Sequence, residues 1–245
     1  MVNYKNMKQK LILFDIDGTL LKGKSKIHFN SFIEAFRKIF KIDVNPNEID
    51  HEGKTDMRII LELSEKHGIP KDKVIPRLKE IYKIMIDFYK KNVDLDKEIQ
   101  PNDNVEKLLS ILKKKGYILG LLTGNLKKIA RTKIGKFDLN KYFSFGSFGE
   151  ISEIRSKLLE NAIKKAKSKF KTNLNKEDIF VIGDTRFDVE CGKQLGVKII
   201  AVATGKYSIE ELKKYNPDYV LKDFSDLESI INIIDGSLIF KIKFN

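Results

Sequence analysis

Cysteine, tryptophan and histidine are scarce in this chain of 245 residues, which has one cysteine, no tryptophan and three histidines. The single cysteine, Cys191, excludes an intrachain disulfide and any metal site built from several thiolates, and its context favours a partly buried helical residue over a reactive thiol. The histidines, His28, His51 and His67, lack the spacing of metal ligands, so we expect them on the surface or in loops. The absence of disulfides fits a reducing compartment.

Long apolar segments are also missing. No run of about 18 apolar residues occurs, so a membrane-spanning helix is not expected. No apolar segment of the signal-peptide type precedes Asp15. With 42% hydrophobic and 33% charged residues, the chain has the composition of a globular protein with a sizeable core. We therefore expect a cytoplasmic protein without membrane contact.

Basic residues outnumber acidic ones by 47 to 34, which gives a formal net charge of +13. Only six of the basic residues are arginine, and the lysines are spread along the whole chain. Nucleic-acid-binding proteins tend to cluster their basic residues and to use arginine for bidentate contacts. We interpret the charge as solvation of helix faces with a mild attraction for anionic substrates. The alternative, a basic nucleic-acid-binding protein without activity, rests on the net charge alone.

The most informative segment is KLILFDIDGTL at residues 10–20, in which four apolar residues lead directly to Asp15 and Asp17. A short apolar run bounded by turn residues is typical of a buried strand in a parallel sheet. A turn alone would explain Asp17 and the glycine after it, but not Asp15 at the last buried position. Two carboxylates at a strand end repel each other and lose hydration unless a cation or a proton compensates.

Two different patterns divide the rest of the chain. Residues 22–96 show only the apolar spacing of helices, at 30–41, 55–67 and 73–91, with Thr55 as an N-cap and Gly68 as a helix stop. From residue 97 onward, strands alternate with helices. The first of these helices has Asp103 as its expected N-cap. Residues 237–244 alternate apolar residues with lysine, which indicates an edge strand or a loose end. Strands are expected at 117–122, 142–148, 179–182, 197–202 and 219–221, and helices at 103–115, 126–136, 156–170, 187–195, 209–215 and 226–234.

Alternation of this kind predicts an α/β fold with a doubly wound parallel sheet. We expect a Rossmann-like core from residues 1–21 and 97–245, with an all-α cap domain inserted at 22–96.

Three of the expected strands end in polar segments, and the carboxyl ends of parallel strands meet at one edge of a sheet, where ligands bind. Carboxylate oxygens without histidine or cysteine suit Mg²⁺. A threonine hydroxyl and loop N–H groups suit a phosphate, and a carboxylate can act as a nucleophile. The residues concerned are Asp15, Asp17 and Thr19, then Thr123, Gly124 and Asn125, then Asp184, Thr185 and Asp188.

In this order the motifs resemble those of haloacid dehalogenase (HAD) superfamily hydrolases, of the phosphoglycolate-phosphatase-like kind with a helical cap after the first motif. The resemblance runs from residue 11 to about residue 234. Its most specific part is DIDGT at 15–19, and TGN at 123–125 and GDTRFD at 183–188 support it in combination. GKTD at 53–56 is also similar to relatives of this group.

The resemblance implies a phosphatase that hydrolyses a small phosphomonoester through an aspartyl-phosphate, with Mg²⁺ as cofactor. Asp15 would be the nucleophile and a metal ligand. Asp17 would act as general acid and then general base, and would bind the metal through its backbone carbonyl. Asp184 would complete the metal site, with Asp188 supporting it from the side.

The same resemblance assigns the phosphate-binding groups. The hydroxyl of Thr123 and the N–H of Gly124 would hold the phosphoryl oxygens. Asn125 would help to position the phosphate or the nucleophile loop, or would be a helix N-cap. The family also places a basic residue before the helix that precedes the third motif, but its usual Lys-Pro pair is absent here. Arg155 is our choice for this role and Lys157 the alternative, and either could instead be an exposed charge at a helix start.

In the insert, Lys54 and Thr55 would reach the substrate when the cap closes and shields the site from water. Alternatively, Thr55 only caps a helix and Lys54 is exposed. A β-phosphoglucomutase-like isomerase and a phosphonatase that forms an imine on Lys54 are alternative activities. A dehalogenase is disfavoured because relatives of that type lack the second aspartate. The sequence leaves open which metabolite is the substrate and whether the protein is a monomer or a homodimer.

Overall fold

A parallel sheet forms the centre of the computed structural model, which describes residues 9–237. Its longer strands are short apolar runs, as expected where helices cover both faces of a sheet. The strands of this sheet and of a second, two-stranded one are β1 (Leu11–Phe14), β2 (Leu21–Lys22), β3 (Gln100–Pro101), β4 (Ile118–Leu122), β5 (Gly146–Ser147), β6 (Ile179–Gly183), β7 (Lys198–Val202) and β8 (Tyr219–Leu221).

Six of these strands form the main sheet, in the order β5-β4-β1-β6-β7-β8. Every neighbouring pair in it is parallel. β1 is therefore central, and its last residue, Phe14, pairs with Leu121 of β4 and Ile182 of β6. This confirms the predicted α/β fold, and it brings the three polar segments that follow β1, β4 and β6 to one edge of the sheet.

Helices cover the sheet and also form a separate group between β2 and β3. Within the described residues, no strand lies between 23 and 99, although β2 reaches one residue into the stretch predicted to be all helical. The helices are α1 (Lys26–Phe40), α2 (Asp56–Lys66), α3 (Lys71–Val74), α4 (Leu78–Asn92), α5 (Val105–Lys114), α6 (Lys127–Gly135), α7 (Arg155–Phe170), α8 (Arg186–Leu195), α9 (Ile209–Lys213) and α10 (Leu227–Asp235).

The helices α1 to α4 have an apolar core of their own, which includes Phe36, Ile60 and Tyr89. Leu126 and Ile129, at the start of α6, belong to the same cluster. The inserted helices are therefore packed against the helix that follows β4, directly beside the sheet edge where the polar segments meet.

Several boundaries differ from the sequence prediction. α1 begins at Lys26 because the side chain of Ser25 caps it, accepting a hydrogen bond from the backbone N–H of His28 at 3.1 Å. The helix predicted at 73–91 is divided into α3, a 3-10 turn at Ile75–Arg77 and α4, because a proline in that turn has no N–H to donate.

Two further predictions were wrong. Asp103 does not cap α5, because Asn104 occupies the N-cap with φ of 62° and Asp103 accepts a hydrogen bond from Lys22 at 2.8 Å. The strand predicted at 142–148 is only β5, because residues Leu139–Tyr142 form a 3-10 turn before it.

The predicted edge strand at 237–244 lies outside the described residues apart from its first position. Among residues 9–237, no helix is both long enough and apolar enough to cross a membrane. The cytoplasmic location remains a prediction.

Candidate active site

Asp15 lies directly after β1 and is only 5% exposed. Its carboxylate and those of Asp184 and Asp188, which follow β6, have oxygens within 4.8 Å of one another. Burial, together with the charges of Asp188 and Asp17, raises the pKa of Asp15 to about 7 against the opposing effect of Arg155. Burial, together with the charges of Asp15 and Asp188, also raises the pKa of Asp184 well above its usual value. The three-aspartate group is therefore short of positive charge.

Arg155, the first residue of α7, supplies part of that charge. Its Nη2 atom lies 3.0 Å from Asp15 Oδ2 and 2.5 Å from Asp188 Oδ1. Although burial opposes the charged form, the two carboxylates raise the pKa of Arg155 further. Lys157 is exposed and forms a 3.0 Å ion pair with Glu160. Of the two candidates from the sequence, Arg155 is therefore the one in contact with the aspartates.

Neighbouring side chains fix the other two carboxylates of the group. The hydroxyl of Thr19 donates to Asp184 Oδ1 at 2.8 Å. The backbone N–H and the hydroxyl of Thr185 donate to Asp188 Oδ2 at 3.1 and 2.6 Å, in a capping box at the start of α8. Because Arg155 holds the other oxygen of Asp188, both oxygens of that residue already have donors.

Asp17 has its own partners outside this group. Lys133 Nζ donates to both of its carboxylate oxygens at 2.8 Å, and Asn125 Nδ2 donates to Oδ2 at 2.7 Å. Burial alone would raise the pKa of Asp17, but Lys133, His28 and these hydrogen bonds lower it below its usual value. The carboxylate of Asp17 is therefore held as an anion beside the three-aspartate group.

The TGN segment after β4 lies at the same edge. Thr123 is fully buried, and its hydroxyl oxygen accepts hydrogen bonds from the backbone N–H and the side-chain amide of Asn125 at 3.3 and 3.2 Å. Leu126, not Asn125, occupies the N-cap position of α6. The helix-capping alternative for Asn125 is therefore wrong, and its amide links Thr123 to Asp17.

The loop of the insert that carries GKTD lies directly on this segment. The backbone N–H of Asp56 donates to the carbonyl of Gly124 at 2.7 Å, and a β-carbon at position 124 would lie 2.1 Å from the carbonyl oxygen of Lys54. Arg155 Nη1 donates to the carbonyl of Gly53 at 3.0 Å. Both the core loop and the buried arginine therefore hold the backbone of the insert against the site.

The two residues predicted in the insert have well-defined partners. Thr55 is the N-cap of α2, and its side-chain oxygen accepts a hydrogen bond from the N–H of Arg58 at 3.2 Å. The side chain of Lys54 is only 8% exposed and pairs with Glu62 at 2.5 Å, so the alternative that leaves Lys54 exposed is wrong. A cleft of about 600 Å³ opens beside them, lined by Arg58, Leu61, Glu62, Glu65, Gly68, Ile69, Pro70, Lys71, Glu153 and Ile154.

Sequence reasoning missed the roles of Lys133 and His28, which lie near Asp17, and of Asp56, which contacts His28. Contrary to expectation, His28 is a largely buried residue of α1, with Nδ1 3.1 Å from Lys133 Nζ and Nε2 3.2 Å from Asp56 Oδ2. Lys133 occupies an inward position of α6, between buried Ala130 and Ile134. Its place in that helical period was a signal in the sequence, since a lysine on an apolar stripe requires a partner.

The remaining residues singled out from the sequence lie away from this chemistry. His51 lies in a loop and His67 at the end of α2, both partly exposed, as expected. Cys191 is buried on α8, where burial raises the pKa of its thiol to about 12. The thiol is therefore protonated at neutral pH and unreactive.

The site has a clear excess of negative charge. Two cationic side chains lie among the four carboxylates of Asp15, Asp17, Asp184 and Asp188: Lys133 pairs with Asp17, and Arg155 pairs with Asp15 and Asp188. When all four carboxylates are ionised, two negative charges remain unbalanced, which is the charge of one divalent cation. The donor atoms are all carboxylate oxygens, which hard cations prefer. The residues present therefore fit a divalent metal ion.

Comparison with known proteins identifies the family. A pyrophosphatase PpaX from Halalkalibacterium halodurans is 25% identical over 233 residues, covering 93% of this chain and 99% of that protein. A phosphoglycolate phosphatase from Haemophilus influenzae is 24% identical over 239 residues, covering 92% of this chain and all of that protein. The solved structure of a hydrolase from Pseudomonas syringae has the same fold, with a TM-score of 0.68 at 20% identity over 92% of this chain and 99% of that one.

Residues 12–202 match the model of the haloacid dehalogenase-like hydrolases. This match begins within β1 and ends with β7, so it includes all three polar segments of the sheet edge. The chain therefore belongs to the haloacid dehalogenase-like hydrolase family.

Proposed function

We propose that this hydrolase is an Mg²⁺-dependent phosphatase that acts on a small phosphomonoester through an aspartyl-phosphate at Asp15. The observation that carries the proposal is the buried group of Asp15, Asp184 and Asp188 around Arg155, at the sheet edge where Thr123 also lies. This edge combines a nucleophile, anionic metal ligands and phosphate-binding groups.

The groups that we propose as metal ligands are the carboxylates of Asp15 and Asp184 and the backbone carbonyl of Asp17. Asp188 is better suited to a supporting role, because Arg155 and Thr185 already occupy both of its oxygens. A bound Mg²⁺ would screen the carboxylates from one another and neutralise part of the charge of the incoming phosphate.

In the first half of the reaction, an Asp15 carboxylate oxygen forms a bond to phosphorus while the bond from phosphorus to the leaving oxygen breaks. The hydroxyl of Thr123 and the N–H of Gly124 hold the phosphoryl oxygens, since they follow the strand that pairs with β1. Arg155, 3.0 Å from Asp15, offsets the negative charge that accumulates there. Asp17 delivers the proton that the leaving alcohol requires, and it must carry that proton before the transfer, having taken it from water in the preceding turnover.

In the second half, Asp17 accepts a proton from water, and the resulting hydroxide attacks phosphorus and releases phosphate from Asp15. The lowered pKa of Asp17, beside Lys133, keeps its carboxylate ionised and so able to accept this proton. The hydrogen bond from Asn125 to Asp17 keeps the carboxylate close to the phosphate-binding loop. Proton transfer in both halves therefore depends on one side chain.

Residues 22–96 form the cap in this proposal, and residues 1–21 and 97–245 form the catalytic core. The close approach of the Lys54 backbone to Gly124 supports a cap that excludes water from the phosphoenzyme. The amine of Lys54 is paired with Glu62 at 2.5 Å, a contact that an attack on a carbonyl would have to break. It therefore speaks against the phosphonatase alternative and leaves Lys54 and Thr55 as shapers of the cap loop.

For the substrate, we propose a small phosphorylated metabolite, with pyrophosphate as a second candidate because several relatives are named pyrophosphatases. A panel of such compounds, assayed for phosphate release with Mg²⁺ and with EDTA, tests the proposal, and Asp15→Asn is its control. We expect Mg²⁺-dependent release that falls by about 10³-fold or more in the variant, since the nucleophile is lost. Release that persists in Asp15→Asn contradicts the proposal. Isomerisation of a sugar phosphate without phosphate release identifies the mutase alternative instead.

A further inference from the structure

A fourth loop reaches the sheet edge that carries the aspartates, and the proposed reaction gives it no role. β7 ends at Val202, and residues 203–206 follow it, which we call the β7 loop. β7 runs parallel to β6, with Ala201 opposite Gly183. The β7 loop therefore leaves the sheet beside Asp184, the residue that directly follows β6.

Gly205 of this loop packs directly against the carboxylate of Asp184. A β-carbon at position 205 would lie 1.8 Å from Asp184 Oδ2, and one at Gly18 would lie 2.1 Å from the same oxygen. The two glycines thus leave the space that this oxygen occupies. Gly205 is exposed whereas Asp184 is buried, so the β7 loop helps to cover the carboxylate from solvent.

Thr204, the preceding residue, acts on the turn after β1. Its hydroxyl donates to the carbonyl of Gly18 at 2.5 Å. That carbonyl shares a planar peptide unit with the nitrogen of Thr19, whose hydroxyl donates to Asp184 Oδ1 at 2.8 Å. Gly18 has φ of 78° and the conformational freedom of a glycine, so contacts from outside the turn are needed to fix this peptide.

Asn102 contributes less than Thr204 at the Gly18 carbonyl. Its Nδ2 atom lies 3.4 Å from that oxygen but 2.8 Å from the carbonyl oxygen of Thr19. Without the Thr204 hydroxyl, the Gly18 carbonyl would keep only a long hydrogen bond from this amide. The preceding carbonyl, that of Asp17, is a proposed metal ligand, so rotation at Gly18 would also displace it.

We propose that Thr204 and Gly205 are positioning residues for the metal site. Thr204 fixes the turn that presents the Asp17 carbonyl, and Gly205 leaves room for the carboxylate of Asp184. The proposal rests on the proposed function, which assigns the metal to Asp15, Asp17 and Asp184. Groups that orient metal ligands without touching the metal contribute 10- to 100-fold to metal affinity. The β7 loop is therefore expected to affect ion binding before any substrate is present.

Two substitutions of Thr204 separate the hydroxyl from the shape of the side chain. Valine keeps the shape and loses the hydroxyl, whereas serine keeps the hydroxyl. The matched control is Thr132→Val on α6, which loses a hydroxyl-to-carbonyl hydrogen bond of 2.8 Å to Lys128. The probe is Mn²⁺ alone, with the free ion measured by electron paramagnetic resonance. We expect its Kd to rise about tenfold or more in Thr204→Val, but to stay within about threefold of the parent in Thr204→Ser and Thr132→Val.

Two results overturn the role of Thr204. One is an equal Kd in Thr204→Val and Thr132→Val. The other is a rise in Thr204→Ser as large as that in Thr204→Val. A parent that binds Mn²⁺ but releases no phosphate contradicts the proposed function and leaves the positioning role intact. A parent that binds no Mn²⁺ overturns the metal assignment and this proposal with it.

A substitution at Gly205 keeps the test decisive if Thr204→Val fails to fold. Gly205 is not among the glycines with positive φ, so Gly205→Ala acts through its β-carbon and not through backbone strain. Its control is Lys206→Ala, at the next position of the loop, where the side chain is 57% exposed. We expect the Kd for Mn²⁺ to rise about tenfold or more in Gly205→Ala and to stay within about threefold in Lys206→Ala. Equal values in these two variants overturn the proposal.

Discussion

Arg155 is the residue on which the stability of the buried site depends most. Its Nη2 atom forms ion pairs with both Asp15 and Asp188, and all three side chains are almost fully buried. We expect Arg155→Met to lower the free energy of unfolding by about 3–5 kcal/mol, because two buried carboxylates lose their cation. Urea denaturation at neutral pH without metal measures the loss. The control is Lys157→Met, which removes an exposed charge two residues away and is expected to leave the urea midpoint unchanged. Similar losses in both variants would show that the pairing of Arg155 is not stabilising.

Gly124 offers a second test at the level of one residue. A β-carbon there would meet the Lys54 carbonyl oxygen at 2.1 Å, so Gly124→Ala must displace the loop of the insert. We expect kcat/KM for phosphate release to fall at least about tenfold, since misplacing groups by an ångström has effects of this size.

The control for Gly124→Ala is Gly116→Ala, at a glycine with φ of 79° and no atom near its missing β-carbon. We expect it to cost about 1–2 kcal/mol of stability through backbone strain while activity stays unchanged. Activity of Gly124→Ala equal to that of the parent would show that the loop can yield.

The candidate site was only partly predictable from the sequence, for a physical reason. Asp15, Asp17 and Asp184 could be identified because each lies within three residues of the end of an apolar run that the sequence predicts as a strand. Lys133 and His28 could not, because their importance arises from a contact between helices 105 residues apart in the chain. Local patterns show that such residues are unusual on the apolar face of a helix, but they do not show which residue each of them contacts.

At the scale of elements, the start of α1 combines a helix N-cap with a hydrogen bond to the segment that precedes β3. The Ser25 hydroxyl oxygen accepts the N–H of His28, and the hydroxyl donates to buried Asp96 at 2.5 Å. We expect Ser25→Ala to lower the free energy of unfolding by about 1–2 kcal/mol, from the lost cap and the lost donor to Asp96. Thermal unfolding measures this, with exposed Ser144→Ala as control. Identical melting temperatures for both variants would contradict the assignment.

The bounds of an element were predicted well where one sequence pattern dominates. β6 and β8 are continuous apolar runs of strand length, and the structure confirms them almost to the residue. The prediction of a single strand over 142–148 was wrong, because aromatic residues of this stretch pack into the core from turns as well as from next to a strand. Apolar content shows that such a segment is buried, whereas hydrogen bonding to β4 decides how much of it is strand.

At the scale of the whole molecule, metal binding should be visible in stability. A ligand that binds only the folded state at 100 times its Kd adds about 2.7 kcal/mol. We expect MgCl₂ to raise the melting temperature beyond the effect of NaCl at equal ionic strength, because the ion offsets repulsion among the aspartates. Asp184→Asn should abolish this difference. A rise that is the same in Asp184→Asn would place the ion elsewhere.

The net charge of +13 also has a testable meaning for the whole molecule. We expect lysines spread over helix faces to give only weak, non-specific contacts with nucleic acid. Fluorescence anisotropy with a duplex oligonucleotide should show binding that weakens about 10³-fold or more between 50 and 200 mM salt, as phosphate contacts are lost. Tight binding that survives at 200 mM salt would support the nucleic-acid-binding alternative.

The chain leaves the core at β2 and returns to it at β3, and these two short strands are hydrogen-bonded to each other in antiparallel register. All 77 residues between them depart from and return to a single spot on the core. The length of the segment between β2 and β3 can therefore change without separating any two strands of the main sheet. A gene that exchanged this segment for a shorter or longer one would alter what covers the aspartates and keep the aspartates themselves. The paired strands therefore allow the segment between them and the group of aspartates to change independently.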